Sequence, residues 1–324
     1  MKTNLGLCIT LISLLESVYG TTWSEWWKYA DGISGPEFWG LLNLEWTICT
    51  KGKRQSPVNI EPKRLVYDPY MKNIHIDQAH VGGWLLNNGH DIKFKIDDPA
   101  KPNSINITKG PLSYMYRVID ITIHFGSSDD LGSDHTIEGK SFPAEIQLTA
   151  FNSDIYANFT SAEVSPNGLT VIGILVQINE ESTNREFEKL AQEFKRVKYK
   201  GNEVRVEDLS LHDLMPETYS FMTYEGSLTK PGCHETVTWV IMNRPIYISR
   251  EHLESLRQAM TGDEENPNDP MANNNRPTMS LNRRTIRTNI NFADPRPGCT
   301  MKKNLTYHAN FPVLRSSISS DSYS

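Results

Sequence analysis

Two stretches near the middle of the chain alternate polar and apolar residues with a period of two. Residues 120–125 read Asp-Ile-Thr-Ile-His-Phe, and residues 145–150 read Glu-Ile-Gln-Leu-Thr-Ala. Successive side chains of a β-strand point to opposite faces of the sheet, so this period predicts a strand in each stretch. Each strand then has one apolar and one polar face. Polar faces on two strands joined by a polar loop are typical of a binding or catalytic site.

Elsewhere the pattern predicts further strands and only two helices. Alternation over residues 93–97 and an apolar run over residues 168–178 indicate strands, the second in the interior of a sheet. The dipeptide Asn88-Gly89 is a hairpin-turn signal. Strands are also predicted within residues 221–229 and 236–248, helices within residues 184–197 and 250–260, and a loop over residues 261–277. Together these elements predict one β-dominated domain with peripheral helices.

The two ends of the chain depart from this pattern. A short apolar run follows Met1-Lys2 and leads to Val18-Tyr19-Gly20, which is typical of a cleaved signal peptide and too short to span a bilayer. The Trp-rich residues 21–46 are expected to pack onto a larger body. The predicted organisation is therefore a signal peptide at residues 1–20, a domain at residues 21–293 and a mobile, Pro- and Ser-rich tail at residues 294–324.

Composition and charge narrow the classes of function. The chain has 324 residues, 10% aromatic residues and a net charge of −6, so no global basic field argues for a nucleic-acid partner. No later segment approaches the length of a transmembrane helix, and the Ser-rich C-terminus speaks against a glycolipid anchor. The sequence predicts a secreted, extracellular protein that neither binds nucleic acid nor inserts into a membrane.

Potential glycosylation sites and cysteines agree with that compartment. Acceptor triplets for N-linked glycans begin at Asn106, Asn158 and Asn304. Cys8 leaves with the signal peptide, so Cys49, Cys233 and Cys299 remain. An odd number of cysteines in an oxidising compartment implies one pair and one leftover thiol. The leftover cysteine is either a harmless thiol or part of an intermolecular bond.

Short blocks in order along the chain resemble the α-carbonic anhydrase family. They include Gly35-Pro36-Glu37-Phe38-Trp39, Gln55-Ser56-Pro57-Val58-Asn59-Ile60, Asn88-Gly89-His90, Gly132-Ser133-Asp134-His135-Thr136, Tyr224-Glu225-Gly226-Ser227-Leu228-Thr229 and Asn282-Arg283-Arg284. One block alone would be weak, but the ordered set spans roughly residues 23–292. The resemblance implies a mainly β (α+β) fold, with a large, mostly antiparallel twisted sheet and short peripheral helices. That fold agrees with the hydrophobic pattern.

In active members of that family, three imidazoles hold zinc, two as His-x-His on one strand and one on the neighbouring strand. The matching positions here are Thr122, His124 and Gln147. Catalytic zinc needs three protein ligands and an open position for a water whose pKa falls to about 7. A hydroxyl and an amide are poor zinc ligands beside imidazole, thiolate or carboxylate. We therefore expect no zinc, no other cofactor and no hydration of carbon dioxide.

The resemblance also assigns positions around this former metal site. Glu145 matches the carboxylate that orients a zinc-bound His, and it is left with no metal ligand to orient. Thr229 matches the hydroxyl that accepts from zinc-bound hydroxide, with Asp134 as its shortened carboxylate partner, and His90 matches the proton shuttle. Pocket-wall positions are Thr149, Val171, Leu228 and Trp239. The simplest interpretation of His124 is a hydrogen-bonded, partly buried imidazole.

Within the family, the chain is most similar to the acatalytic carbonic anhydrase-related proteins of the X and XI type, over residues 52–60, 221–224, 239–245 and 281–292. That similarity implies a secreted protein of nervous tissue that binds neurexin-type presynaptic receptors. The chain departs at Thr122, where vertebrate members are expected to have Arg. Extracellular members of the family also form a disulfide whose positions here are Cys49 and Cys233, worth about 4–5 kcal/mol in the chain-entropy model.

Two functions are compatible with these residues. The first is a secreted, zinc-free binding protein that uses the anhydrase fold as a scaffold, since a fold does not fix a function. The second is a metal-dependent hydratase or esterase in which His124 acts with Glu145 or Asp134. The second function would require these carboxylates to move towards a metal, and nothing in the sequence demands that movement.

Two features of the C-terminal part bear on partners. Cys299 lies among Pro and Gly residues beside Lys302 and Lys303, and we expect it to form an intermolecular disulfide with a second copy or with a receptor. Arg283, Arg284 and Arg287 suggest a patch for an acidic partner or, more simply, a solvated surface.

Overall fold

The middle of the chain is a large β-sheet edged by short helices. The computed structural model describes residues 26–97, 104–181 and 183–292. The strands in these ranges are β1 Asn59–Ile60, β2 Val66–Tyr67, β3 Ile74–Ile76, β4 His80–Asn87, β5 Ile92–Ile96, β6 Asn106–Lys109, β7 Tyr116–Phe125, β8 Thr136–Ile137, β9 Ala144–Asn152, β10 Leu169–Ile178, β11 Glu203–Ser210, β12 Phe221–Gly226, β13 Val237–Met242, β14 Ile246–Ile248 and β15 Arg287–Thr288. The α-helices there are α1 Trp39–Leu42, α2 Ile48–Lys51, α3 Phe159–Glu163, α4 Arg185–Ala191, α5 Leu211–Leu214 and α6 Arg250–Leu256, and 3₁₀ turns cover Leu44–Trp46, Pro62–Arg64 and Phe194–Val197.

Thirteen of the described strands form one sheet with β7 and β9 near its middle. Its main path runs β11-β4-β5-β7-β9-β10-β13-β12-β15-β2, with β14 beside β10 and β6 beside β7. Neighbours from β11 to β10 pair antiparallel, whereas β10 pairs parallel with β13 and β14. The predicted fold, a mostly antiparallel sheet with short peripheral helices, is confirmed.

The predicted helix over residues 184–197 forms as α4 followed by a 3₁₀ turn. Asn184 begins it because its side-chain oxygen accepts from the backbone N–H of Phe187, which satisfies one of the free donors of the first turn. Phe187 and Leu190 then face the core. The apolar spacing and the Asn184 cap that the sequence predicted are therefore both present in the structure.

Two predicted elements are shorter than the sequence pattern indicated. The helix predicted over residues 250–260 ends at Leu256, because the N–H groups of Gln258 and Ala259 bond only three residues back, to Ser255 O and Leu256 O, and the N–H of Met260 bonds to Lys198 O at 2.8 Å. The strand predicted over residues 236–248 divides into β13 and β14. Pro245 lies at the break, where its ring nitrogen has no hydrogen to donate to a neighbouring strand.

From residue 26 onward, the aromatic N-terminal segment packs onto the body of the domain, as predicted. Trp27, Tyr29 and Trp39 are buried in a cluster that also contains Cys49 and Cys233. These cysteines form the disulfide that the resemblance implied. The disulfide therefore fastens the segment before β1 to the turn between β12 and β13.

Several predictions fall partly or wholly outside the described residues. The signal peptide at residues 1–20, the tail at residues 294–324, Cys299 and Asn304 lie there. Of the other predicted glycosylation positions, Asn106 is half-buried on β6 and donates to Asp77 Oδ2 at 2.9 Å, and Asn158 is exposed at the start of α3. No helix in the described ranges is both long and apolar enough to cross a membrane.

Candidate functional site

The register of β7 and β9 brings the polar faces of these two strands together, as the alternation predicted. Thr122 lies opposite Gln147, and His124 lies opposite Glu145. All four side chains are buried. The three positions that the resemblance assigned to zinc ligands are therefore close neighbours in the middle of the sheet.

His124 is a hydrogen-bonded, buried imidazole. Its Nδ1 lies 2.6 Å from the backbone oxygen of Asn274, so Nδ1 carries a hydrogen and donates it to that carbonyl. Its Nε2 lies 3.8 Å from Asp134 Oδ2. Burial disfavours the imidazolium. The negative charge of Asp134 and several smaller contributions together outweigh the effect of burial, so the pKa of His124 is raised.

Gln147 occupies the third position with its amide nitrogen between two carboxylates. Nε2 donates to Asp134 Oδ2 at 2.7 Å and to Glu145 Oε1 at 3.1 Å. Both neighbours are acceptors, which fixes which end of the amide faces them. An amide N–H in this position satisfies the carboxylates and offers no lone pair to a metal.

Asp134 does not pair with Thr229, and this corrects the pairing carried over from the resemblance. Its Oδ1 accepts from the backbone N–H of Arg276 at 2.8 Å, and its Oδ2 accepts from Gln147. Burial, the largest influence, raises the pKa of Asp134. Asp134 therefore joins the polar face of β9 to the segment around residue 276.

Glu145 has a partner of its own, which the sequence interpretation missed. Its carboxylate accepts from the backbone N–H of His135 at 2.7 Å and lies 2.9 Å from Nδ1 of the same residue. The other ring nitrogen of His135 lies 2.6 Å from the hydroxyl of Tyr224, which donates onward to Ser56 Oγ at 3.0 Å. Glu145 thus organises a buried polar chain through the domain.

That network changes the acidity of Glu145. Burial alone would raise its pKa, but the charge and hydrogen bonds of His135 oppose burial and prevail, so the pKa of Glu145 is lowered. Glu145 is therefore a structural carboxylate that stays ionised at neutral pH.

Beside these residues lies a small pocket of about 30 Å³. The predicted wall residues line it together with Thr229, namely Thr149, Val171, Leu228 and Trp239. Its volume leaves room for about two water molecules. His90 instead lines a larger neighbouring groove of about 660 Å³, where its ring stacks on Trp27 with centroids 3.9 Å apart. The structure thus places the shuttle-position imidazole against an aromatic wall.

Sequence reasoning missed two lysines that line the small pocket, Lys93 and Lys230. A signal for each was present, because Lys93 lies on the predicted strand at residues 93–97 and Lys230 directly follows Thr229. It also missed Asn274 and Arg276, which lie in a stretch predicted only as a loop. Within the described ranges, no group of three His, Cys, Asp or Glu side chains is arranged to hold a metal ion.

The sheet with its buried polar pocket defines the class of protein. The eukaryotic-type carbonic anhydrase family model matches residues 34–290, and the chain belongs to that family. It is 43% identical over 263 residues to carbonic anhydrase-like protein 2 of Caenorhabditis elegans, covering 80% of this chain and 78% of that protein. It is 36% identical over 328 aligned positions to carbonic anhydrase-like protein 1 of the same organism, and the alignment covers 82% of this chain and 90% of that protein. Both relatives are named as carbonic anhydrase-like proteins.

Proposed function

We propose that this protein is a secreted, zinc-free member of the carbonic anhydrase family that acts as a ligand for a cell-surface receptor. The observation that carries the proposal is the identity and hydrogen bonding of the residue at the third ligand position, Gln147. There the Gln147 amide donates to Asp134 and Glu145, in the place where an anhydrase needs a metal-binding imidazole.

The donor set around the pocket does not fit zinc. One imidazole, one hydroxyl and one amide face the site, from His124, Thr122 and Gln147. Zinc in proteins is bound by thiolate, imidazole or carboxylate, and a catalytic site needs three such ligands. His124 supplies one such ligand, which is fewer than a catalytic zinc site requires.

The alternative enzyme would recruit Glu145 or Asp134 as ligands beside His124. Both carboxylates already have partners, because Glu145 holds His135 and Asp134 holds Gln147 and the Arg276 backbone. Turning either carboxylate towards a metal would leave buried N–H groups without acceptors, at about 1–3 kcal/mol for each group. This cost favours the binding protein over the enzyme.

The purified, secreted protein is expected to contain no stoichiometric zinc and to leave the rate of carbon dioxide hydration at the buffer background. Elemental analysis after dialysis against zinc-containing buffer measures the metal, and stopped-flow pH-indicator assays measure hydration. An active α-carbonic anhydrase treated in the same way is the positive control. One zinc per chain together with acetazolamide-sensitive hydration would refute the zinc-free function.

The receptor is proposed from the resemblance to the X and XI type, which implies a neurexin-type partner. Cys299 supplies the proposed covalent contact, with a receptor or with a second copy. Co-expression with a neurexin-type ectodomain should yield a higher band on a non-reducing gel that disappears on reduction and is absent for Cys299→Ser. Identical gels for wild type and Cys299→Ser, without any adduct, would rule out the covalent contact.

A further inference from the structure

Lys93 lies directly beside Thr122, one of the two substituted ligand positions. Across three adjacent strands, Lys93 on β5 is in register with Thr122 on β7, and Thr122 is in register with Gln147 on β9. Cross-strand neighbours in register have Cβ atoms about 5 Å apart on the same face of the sheet. A histidine placed at position 122 would therefore have Lys93 as its immediate neighbour.

The Lys93 side chain is held in the pocket as an ammonium. Its Nζ lies 3.2 Å from Asp120 Oδ2, and both side chains are mostly buried. Burial disfavours the charged form, but the negative charges of Asp120 and Asp91 prevail and the pKa of Lys93 is raised. The ion pair fixes the Lys93 ammonium, with the Asp120 carboxylate beside it, at one wall of the pocket.

Lys230 supplies a second ammonium to the lining of the same pocket. It follows Thr229, and its Nζ lies 5.9 Å from the centre of the Phe159 ring. The charge of Lys93, more than burial, lowers the pKa of Lys230, so the two ammonium groups repel each other. Among the described residues, no carboxylate forms a salt bridge with Lys230, whereas Lys93 has Asp120.

We propose that Lys93 and Lys230 form a second barrier to anhydrase chemistry, independent of the missing imidazoles. They fill the space beside the former ligand positions and place positive charge where a metal dication and its substrate would lie. The proposal rests on the zinc-free function above and extends it. Restoring the histidines alone is not sufficient to rebuild a working metal site.

Two physical effects make each lysine a barrier. A dication and an ammonium that line the same poorly solvated pocket repel each other, which weakens metal binding. The remaining volume of about 30 Å³ holds about two waters, while catalytic zinc needs an open position together with space for substrate. Shortening and neutralising both side chains relieves both effects.

The test compares two rebuilt variants of the full secreted chain. The first is Thr122→His/Gln147→His, and the second adds Lys93→Gln and Lys230→Thr. Gln at position 93 keeps a donor for Asp120 without the charge. A third variant adds Lys95→Gln to the first, because Lys95 is an exposed lysine two residues along the same strand and outside the pocket lining. Circular dichroism and thermal melting establish that each variant is folded.

Metal binding is measured by zinc competition and by the visible spectrum of the cobalt-substituted protein, and hydration by stopped flow. We expect the lysine-free variant to bind zinc at least tenfold more tightly than the first variant, to give a tetrahedral cobalt spectrum and to hydrate carbon dioxide at least tenfold faster. The Lys95→Gln control should behave like the first variant.

The lysine proposal is overturned if the first variant already binds zinc and hydrates carbon dioxide as well as the lysine-free one. It is also overturned if the folded lysine-free variant binds zinc no better than the first. Neither result touches the zinc-free function, which fails only if the unmodified protein carries zinc and catalyses hydration. The rebuilt variants therefore test the lysine proposal, whereas the unmodified protein tests the zinc-free function.

Discussion

Replacing Cys49 and Cys233 together by serine is expected to lower the free energy of unfolding by about 5 kcal/mol. The two cysteines are 184 residues apart, and in the chain-entropy model a cross-link over more than 100 residues restricts the unfolded chain by about this amount. The disulfide also lies in the buried cluster of Trp27, Tyr29 and Trp39. Because folded domains have only about 5–15 kcal/mol of net stability, this loss brings the domain close to unfolding.

Urea denaturation of the wild type and the double serine variant measures the effect. Cys299→Ser is the matched control, since it removes a cysteine without opening this disulfide, and its midpoint should equal that of the wild type. Replacing both partners at once avoids a free thiol that could pair wrongly. A double variant with the wild-type midpoint would show that the cross-link contributes nothing to stability.

The central pair of strands could be predicted from local pattern alone. A period of two and two polar faces place Thr122, His124, Glu145 and Gln147 correctly, and the register of β7 and β9 confirms their proximity. Such features follow from the geometry of a strand, which repeats every two residues irrespective of the remaining chain. The capped helix α4 follows from local sequence for the same reason.

The partners of those side chains depend on residues distant in sequence, which no local pattern reveals. His124 bonds to Asn274 and Asp134 bonds to the backbone of Arg276, in a segment that reads only as a loop because it lacks periodicity. The buried Arg276 guanidinium also donates to Ser56 O at 2.8 Å. The resemblance to active enzymes gave the wrong partner for Asp134. Gln147 supplies a hydrogen-bond donor to Asp134 at the position where those enzymes have a metal ligand.

Glu145→Gln is expected to lower the free energy of unfolding at pH 7 by about 3–5 kcal/mol, in the range for removing one partner of a buried ionic pair. Glu145 is fully buried and its oxygens face N–H donors of His135 and Gln147. A glutamine has one acceptor oxygen and adds an NH₂ group that faces these donors. Thermal melting and urea denaturation of both proteins measure the difference.

The same substitution should change the pH dependence of stability, because the folded state lowers the pKa of Glu145. A carboxyl with a lowered folded pKa contributes fully above its unfolded pKa of about 4.3, and that contribution is lost as pH falls through the folded value. The difference in unfolding free energy between wild type and Glu145→Gln should therefore be largest near neutral pH and should shrink below about pH 4.

The matched control for this prediction is Glu203→Gln, which makes the same chemical change at an exposed position on β11. A surface substitution of this kind should alter the free energy of unfolding by no more than about 0.5 kcal/mol. If Glu145→Gln is as mild as Glu203→Gln, the buried chain from Glu145 through His135 to Tyr224 does not stabilise the domain. If its cost does not shrink as the pH is lowered from 7 to well below 4, ionisation of Glu145 is not the source. The expected result, a large and pH-dependent loss, would show that the ionised carboxylate of Glu145 stabilises the fold.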